Sequence, residues 1–327
     1  MTLARVDRRR RLSPVTSGDP DTEDRTAASA LRRRQRRKGR LTALAFVAPL
    51  VAYLAAFYLY PLYRNLDLSL RDYTVRSFVS GDAPFSGLDN FRTVLGDPTF
   101  GPAMRHTMVF TFVSIAFQYV IGLALAVFFN RHFRLSTVLR ALFLIPWLLP
   151  LIVSASTWSW MFNSESGVVN YFLHFVSVDP VGWLTSPDWA LTSVVIANIW
   201  IGIPFNLVIL YSGLQNIPAE LYEAASLDGA STWQVFRRIT FPLLRPVSAI
   251  TLLLGLVYTL KVFDLIWIMT KGGPSDTSST LATWSYQLGF GTLLPKFGPG
   301  AAVGNLLILI ALVFGLLYIR VQRRQEA

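Results

Sequence analysis

Few residues in this chain could do covalent chemistry. The 327 residues include no cysteine, which removes disulfides and thiolate metal sites. The three histidines, His106, His132 and His174, lie far apart, and none has metal-ligand spacing. No paired carboxylates or Ser/His set lie within reach of the apolar segments, and no G-x-x-x-x-G-K-[ST] phosphate loop occurs. What remains are polar residues embedded in apolar surroundings. Asn198, Trp200, Gly202, Pro204, Phe205 and Asn206 offer amides and aromatic faces, the groups that hold a small polar ligand. Asn198, Ile201, Gly202 and Phe205 recur at helical spacing and can share one face, while Gly202 and Pro204 loosen the helix. Helix packing is the competing role for each. Lys261 and Asp264 also sit in an apolar segment, where an ionisable group costs about 2.5–3.5 kcal/mol on insertion scales. Three residues apart on a helix, they can meet as a self-neutralising intramembrane pair. Alternatively they mark a polar pathway with Thr259 and Lys261 near the ligand, and an unpaired Lys261 would favour an anion.

The elements that must position these residues are membrane spans. Hydrophobic residues make up 53% of the chain and charged ones 15%, against about 25% charged in soluble domains. Six segments have the roughly 20 mostly apolar residues that a bilayer core requires. They run near Leu41–Tyr60, Thr107–Phe129, Val138–Met161, Trp189–Leu214, Val247–Thr270 and Ala301–Ile319. The net charge of +11 is unevenly spread, with 13 of the 30 Lys and Arg in residues 1–40. RRRQRRKGR (Arg32–Arg40) runs straight into the first apolar segment, which favours a cytoplasmic membrane flank over a nucleic-acid-binding arm. With the N-terminus inside, the inner segments hold 22 Lys and Arg and the outer loops 7, so both termini are expected in the cytoplasm. Residues 1–31, rich in Arg, Asp, Ser, Thr and Pro, are expected to be disordered. The charged region is too long for a cleavable signal, and the first span is expected to be an uncleaved anchor. The domain division is a basic arm, 1–40, and a transmembrane domain, 41–327.

Between spans four and five lies EAASLDGASTWQVFRRITFP (Glu223–Pro242), polar and helix-prone, and on the expected cytoplasmic side. It extends an element that begins at Asn216. Pro218 suits a first helical position, and Glu220 and Glu223 suit the early turns. Gly229 allows a left-handed residue that ends the helix. Ser231 and Gln234 form an S-x-x-Q capping box, Trp233, Phe236 and Ile239 give the next helix an apolar side, and Pro242 is expected to close it. An amphipathic hairpin on the lipid surface is one reading, and Arg237 and Arg238 suit it. The small, low profile of Ala224, Ala225 and Gly229 favours docking into a protein groove instead.

The pattern Glu223-Ala224-Ala225, Gly229, Ile239, Pro242 resembles the signature loop of binding-protein-dependent ABC importer permeases, with Phe241 where that family usually has Leu. SGLDNF (Ser86–Phe91), IPWLLP (Ile145–Pro150), NIWIGIPF (Asn198–Phe205) and TKGGP (Thr270–Pro274) resemble its sugar-transporting branch. The resemblance runs from about Leu41 to the end. It implies an all-α membrane protein of the type I ABC importer permease fold, with six transmembrane helices and a cytoplasmic coupling helix within 216–242. It implies that this helix docks into a separate ATPase subunit, with Glu223 making the polar contact, Gly229 the bend beside Asp228, and Ala224 and Ala225 the close approach. It also implies that Asn198, Ile201, Gly202 and Phe205, with Trp147, line a sugar site, Phe205 standing where a Tyr is found in the maltose permease subunit.

The expected function is therefore a permease subunit moving an oligosaccharide or related polyol into the cytoplasm, in the cell (plasma/inner) membrane. A glycerol-phosphate-type permease is the alternative, and an ion-gradient-driven carrier a more distant one. Against a carrier stand the absence of an internal repeat and Asp264 as the only acid within a span. The resemblance implies no catalytic role and no cofactor on this chain, with ATP and Mg on a partner ATPase dimer. The other implied partners are a second homologous permease, an extracytoplasmic solute-binding protein, the sugar and the lipid bilayer.

Overall fold

The computed structural model describes residues 44–131 and 133–326. The basic arm, the expected start of the first span at Leu41, and His132 lie outside the described residues. The chain divides into two units, Met1–Tyr63 and Arg64–Ala327. The described part of the first belongs to helix α1 (Leu44–Ser69), whose apolar stretch is exposed along its length and contains a π-helical turn at Ala55–Leu59.

In the second unit, α2 (Val75–Ser80) and α3 (Asp89–Leu95) are short and precede α4 (Phe100–Phe129). Then come α5 (Ser136–Leu148), α6 (Leu151–Met161), α7 (Val168–Phe175), α8 (Ala190–Gln215) and α9 (Ala219–Leu227). Helices α10 (Thr232–Leu260), α11 (Asp264–Met269), α12 (Leu281–Phe290) and α13 (Phe297–Glu326) complete it. Helices α1, α4, α8, α10 and α13 are each long and apolar enough to cross a bilayer, and α5 with α6 make a sixth if the bent pair is one span.

Two spans depart from expectation. The third, expected unbroken from Val138 to Met161, bends by 96° between α5 and α6. Pro150 has no amide to donate, and the residue before a proline is pushed out of the helical region. Leu149 accordingly takes ψ 140 and Pro150 ψ 137, both extended. Hydropathy alone does not register this break. The fifth, expected over Val247–Thr270, starts earlier and stops earlier. Helix α10 begins at Thr232, ends at Leu260, and the chain turns before α11 resumes at Asp264.

The centre of the second unit is the crossing of α4 and α8. Lipid tails are as apolar as leucine, so helices in a membrane associate through close packing rather than water exclusion. Each helix supplies a glycine at the contact. Gly122 of α4 faces Asn206 and Leu207 so closely that an added Cβ would lie 2.5 Å from Asn206 Cβ and 3.2 Å from Leu207 N. Gly202 of α8 faces the end of Gln118. Toward one end Ala126, Phe129, Leu207, Leu210, Leu214 and Leu244 pack together, joining α10 to the pair. Toward the other, Phe110, Val194, Ala197, Leu265 and Ile266 form a second cluster that draws in α11. The Tyr119 hydroxyl is also hydrogen-bonded to Ser248 Oγ at 2.8 Å, a polar tie between α4 and α10.

Buried amides organise the connecting segments. Asn90 Nδ2 donates to the carbonyls of Ser69 and Arg71 and to Ser86 Oγ. Asn170 Nδ2 donates to the carbonyls of Ser164 and Val181, while its Oδ1 accepts from Val181 N and Trp183 Nε1. The half-buried Asn305 of α13 accepts from Asn65 Nδ2 and donates to the Asn65 carbonyl and to Ser69 Oγ. Each amide satisfies backbone or side-chain groups that would otherwise be buried without partners.

Candidate functional site

Where α4, α5, α8 and α10 meet, they enclose a cavity of about 290 Å³. Helix α8 contributes Asn198, Ile201, Gly202 and Phe205 to its wall, α5 contributes Trp147, and α10 contributes Thr259. Six of the seven residues singled out in the sequence for a ligand path thus line one space. Gln118, Leu151, Gly255, Tyr258 and Val262 complete the lining and were not singled out. The signal for Gln118 was present as a polar residue in an apolar span, but its relevance depends on a helix about 80 positions away.

Local structure explains the placement. Pro204 cannot donate to the carbonyl of Trp200, so the helical ladder is loosened one turn along from the cavity. Asn206 Nδ2 donates to Gly202 O at 2.9 Å, supplying a side-chain donor at that turn. The bend at Leu149–Pro150 brings Trp147 from one side of the break and Leu151 from the other onto the same wall. The aromatic surface is continuous. Trp147 lies edge-on to Phe205 with ring centroids 6.3 Å apart, and Phe205 lies edge-on to Tyr258 at 5.7 Å. Such a wall stacks against apolar faces, and the amides and Thr259 hydroxyl supply directional polar contacts.

Lys261 does not line the cavity. Its Nζ lies 5.0 Å from the centre of the Tyr258 ring, a cation–π contact at the cavity rim. The expected Lys261–Asp264 pair is not formed: among the described residues the ion pairs are Arg64–Asp67, Arg71–Asp67 and Arg92–Asp89. The reason is the helix break. Lys261 caps the end of α10 and Asp264 opens α11, so the two do not share a continuous helical face. Asp264 instead occupies a first turn, where a carboxylate suits the helix dipole.

The polar stretch between α8 and α10 is helix–bend–helix. Helix α9 carries Glu223 and Ala224 exposed, while Ala225 is buried against the chain itself. Ala225 therefore packs inward, and Ala224 is the small residue left on the outer face. Pro218 caps α9 rather than occupying its first turn. Gly229 has φ +69, the left-handed conformation that glycine adopts without cost. Ser231 and Gln234 form the reciprocal capping box, with Gln234 Oε1 accepting from Ser231 N at 2.7 Å. Ala225, Asp228, Gly229, Arg238 and Ile239 surround a shallow concavity beside the bend.

The second helix does not close at Pro242. It continues through a π-helical turn, Phe236–Thr240, into the long apolar part of α10. In that turn Phe241 N bonds to Phe236 O, five residues back, and the widened turn precedes the proline that lacks an amide.

The described residues thus form an all-helical, multi-pass membrane protein with a cavity of about 290 Å³ between its spans. The family model described as "Binding-protein-dependent transport system inner membrane component" matches residues 118–327, and the chain belongs to that family. It is 37% identical over 303 residues to the trehalose/maltose transport system permease protein MalF of Thermococcus litoralis, covering 92% of this chain and 98% of that protein. It is 33% identical over 286 residues to the lactose transport system permease protein LacF of Rhizobium radiobacter, covering 86% of this chain and 94% of that one. A chain in the crystal structure of a bacterial ABC transporter that imports the acidic polysaccharide alginate has the same fold. The TM-score is 0.77 at 24% identity, over 90% of this chain and 99% of that one.

Proposed function

We propose that the chain is the membrane-spanning permease subunit of an ATP-driven importer that carries a sugar into the cytoplasm. The observation that carries this reading is the cavity at the α4–α8 crossing, where Trp147, Phe205 and Tyr258 form an aromatic wall beside Asn198, Gln118 and Thr259. Rings stack on the apolar faces of a sugar, and amides and hydroxyls pair with its hydroxyl groups. Relatives named for trehalose/maltose and lactose transport support the substrate class. A related solved assembly that includes a periplasmic protein bound to an alginate pentasaccharide supports an extracytoplasmic solute-binding partner.

In this reading both termini and α9 face the cytoplasm, which the distribution of Lys and Arg favours. Glu223, Asp228 and the bend at Gly229 dock into a partner ATPase, which holds the ATP and Mg. Ile239 and Pro242 join that contact to α10. A second homologous permease completes the pathway. The exposure of Glu223 and Ala224 and the concavity beside Gly229 suit such a contact.

A second reading is favoured by one observation. Among the described residues Lys261 has no acidic partner within 4.0 Å, and it sits over Tyr258, a wall residue. An anionic polyol such as a glycerol phosphate would gain from that charge. Purifying the tagged chain from its native membrane in mild detergent tests the assembly. Co-recovery of an ATPase and a second permease is expected, and recovery of the chain alone under conditions that preserve other transporters would overturn it. Uptake of neutral sugars against glycerol phosphates by the recovered assembly, reconstituted in vesicles, decides between the two substrates.

A further inference from the structure

We propose that Gln118 of α4 is a specificity-determining residue of the transport path, its amide and that of Asn198 together receiving one substrate hydroxyl. The assignment rests on the sugar-importing reading above.

Three observations meet at this residue. First, Gln118 is 4% exposed, yet it lines the cavity with Asn198, Gly202 and Thr259. Second, its position is fixed. Nε2 donates to the carbonyl of Asn198 at 2.8 Å, and the amide occupies the space a side chain at Gly202 would need. A Cβ at Gly202 would come within 2.3 Å of Gln118 Cδ, 2.4 Å of Nε2 and 2.6 Å of Oε1. The missing side chain of α8 is what admits the amide of α4. Third, the amides are incompletely used. Asn198 Nδ2 is buried with no hydrogen-bond partner among the described residues. Gln118 spends its amide nitrogen on Asn198 O, and its Oε1 takes no hydrogen bond among the described residues.

An unsatisfied donor on one helix and an unsatisfied acceptor on the next make a complementary pair. A hydroxyl both donates and accepts, so one hydroxyl can satisfy both groups, donating to Gln118 Oε1 and accepting from Asn198 Nδ2. A bare carboxylate or phosphate oxygen only accepts and would leave Oε1 unpaired. Sites built to hydrogen-bond a hydroxyl discriminate strongly against analogues lacking it, because buried polar groups are then stranded. The same face of α4 carries two further buried hydroxyls without partners among the described residues, Thr111 Oγ1 and Ser114 Oγ, two turns and one turn from Gln118 respectively. Polar capacity is thus concentrated on the side of α4 that leads to the amide.

The test uses the complete assembly in vesicles. Uptake of trehalose, maltose and lactose is measured first, then uptake of the monodeoxy analogues of whichever is carried. The wild type is expected to carry at least one sugar and to disfavour one monodeoxy analogue by about tenfold in transport efficiency. In Gln118→Met, close in volume but without the acceptor, the parent sugar is expected to lose about tenfold and the discrimination against that analogue to disappear. Gln118→Asn, one methylene shorter, serves if the first variant does not assemble. A wild type that imports glycerol phosphates and none of the three sugars overturns the sugar-importing reading and this assignment with it. A wild type that imports one, with both variants keeping the deoxy discrimination, overturns this assignment alone. So does failure of both variants to assemble, which would make Gln118 a packing residue.

Discussion

The close contacts of Gly202 and Gly122 predict different stabilities for two alanine substitutions that look alike in sequence. In Gly202→Ala the three atoms nearest the new Cβ all belong to the far end of the Gln118 side chain. Three single bonds let that end swing away. The loss is the Gln118–Asn198 hydrogen bond, about 0.5–1.5 kcal/mol. Replacing a mid-helix glycine with alanine returns roughly 0.5–1 kcal/mol. The two nearly cancel, so the folded protein should be about as stable as before, with the amide displaced into the cavity. In Gly122→Ala the Cβ meets Asn206 Cβ at 2.5 Å, Leu207 N at 3.2 Å and Asn206 C at 3.3 Å. Backbone cannot swing aside, so α4 and α8 must part. Overpacking of this kind costs about 1–3 kcal/mol, and the separated helices also lose contacts among Ala126, Leu207 and Leu210. Thermal unfolding in detergent, followed by tryptophan fluorescence, should show a lower midpoint for Gly122→Ala and little change for Gly202→Ala. Uptake should fall in both, and adding Gln118→Ala should restore cavity volume only in the Gly202 variant. Equal destabilisation by the two alanines, or no relief from Gln118→Ala, would refute the reasoning.

Asn90→Ala removes donors to two backbone carbonyls and to Ser86 Oγ, and should cost roughly 2–3 kcal/mol. An unchanged unfolding midpoint would show that water replaces the amide. Phe205→Ala withdraws the ring that links Trp147 to Tyr258, and uptake should drop several-fold while the assembly is still recovered. An unaltered rate would assign the ring to packing. Glu223→Ala, at an exposed position on α9, should leave unfolding unchanged but separate ATP hydrolysis by the assembly from sugar uptake. Normal uptake by a well-expressed variant counts against a coupling role.

The spans were legible because apolar length is a property of local sequence. So was the face shared by Asn198, Ile201, Gly202 and Phe205, since helical spacing alone puts them on one wall. Other features depended on residues far apart or on exceptions to local rules. The break at Leu149–Pro150 lies in uninterrupted hydrophobic sequence, and only the backbone restrictions of proline distinguish it. At Pro242 the same residue type pointed the wrong way, because a widened turn just before it keeps the helix continuous. The spacing of Lys261 and Asp264 implied a pair only if the helix carried on past Leu260, and it does not. Gln118 drew no notice because its meaning comes from Gly202 and Asn198 on another helix.

The continuity of α10 has a mechanical consequence. Its 29 residues, Thr232–Leu260, follow the bend at Gly229 and end beside the cavity wall at Tyr258 and Thr259. At about 1.5 Å per residue that is a rod of roughly 40 Å. Had the chain stopped at Pro242 and restarted, the joint would have absorbed motion as a soft hinge does. A helix continuous past Pro242 instead passes a tilt along its length. A tilt of a few degrees at one end sweeps the other through a few ångströms, about the thickness of a sugar ring, without any residue between them changing its neighbours along the helix.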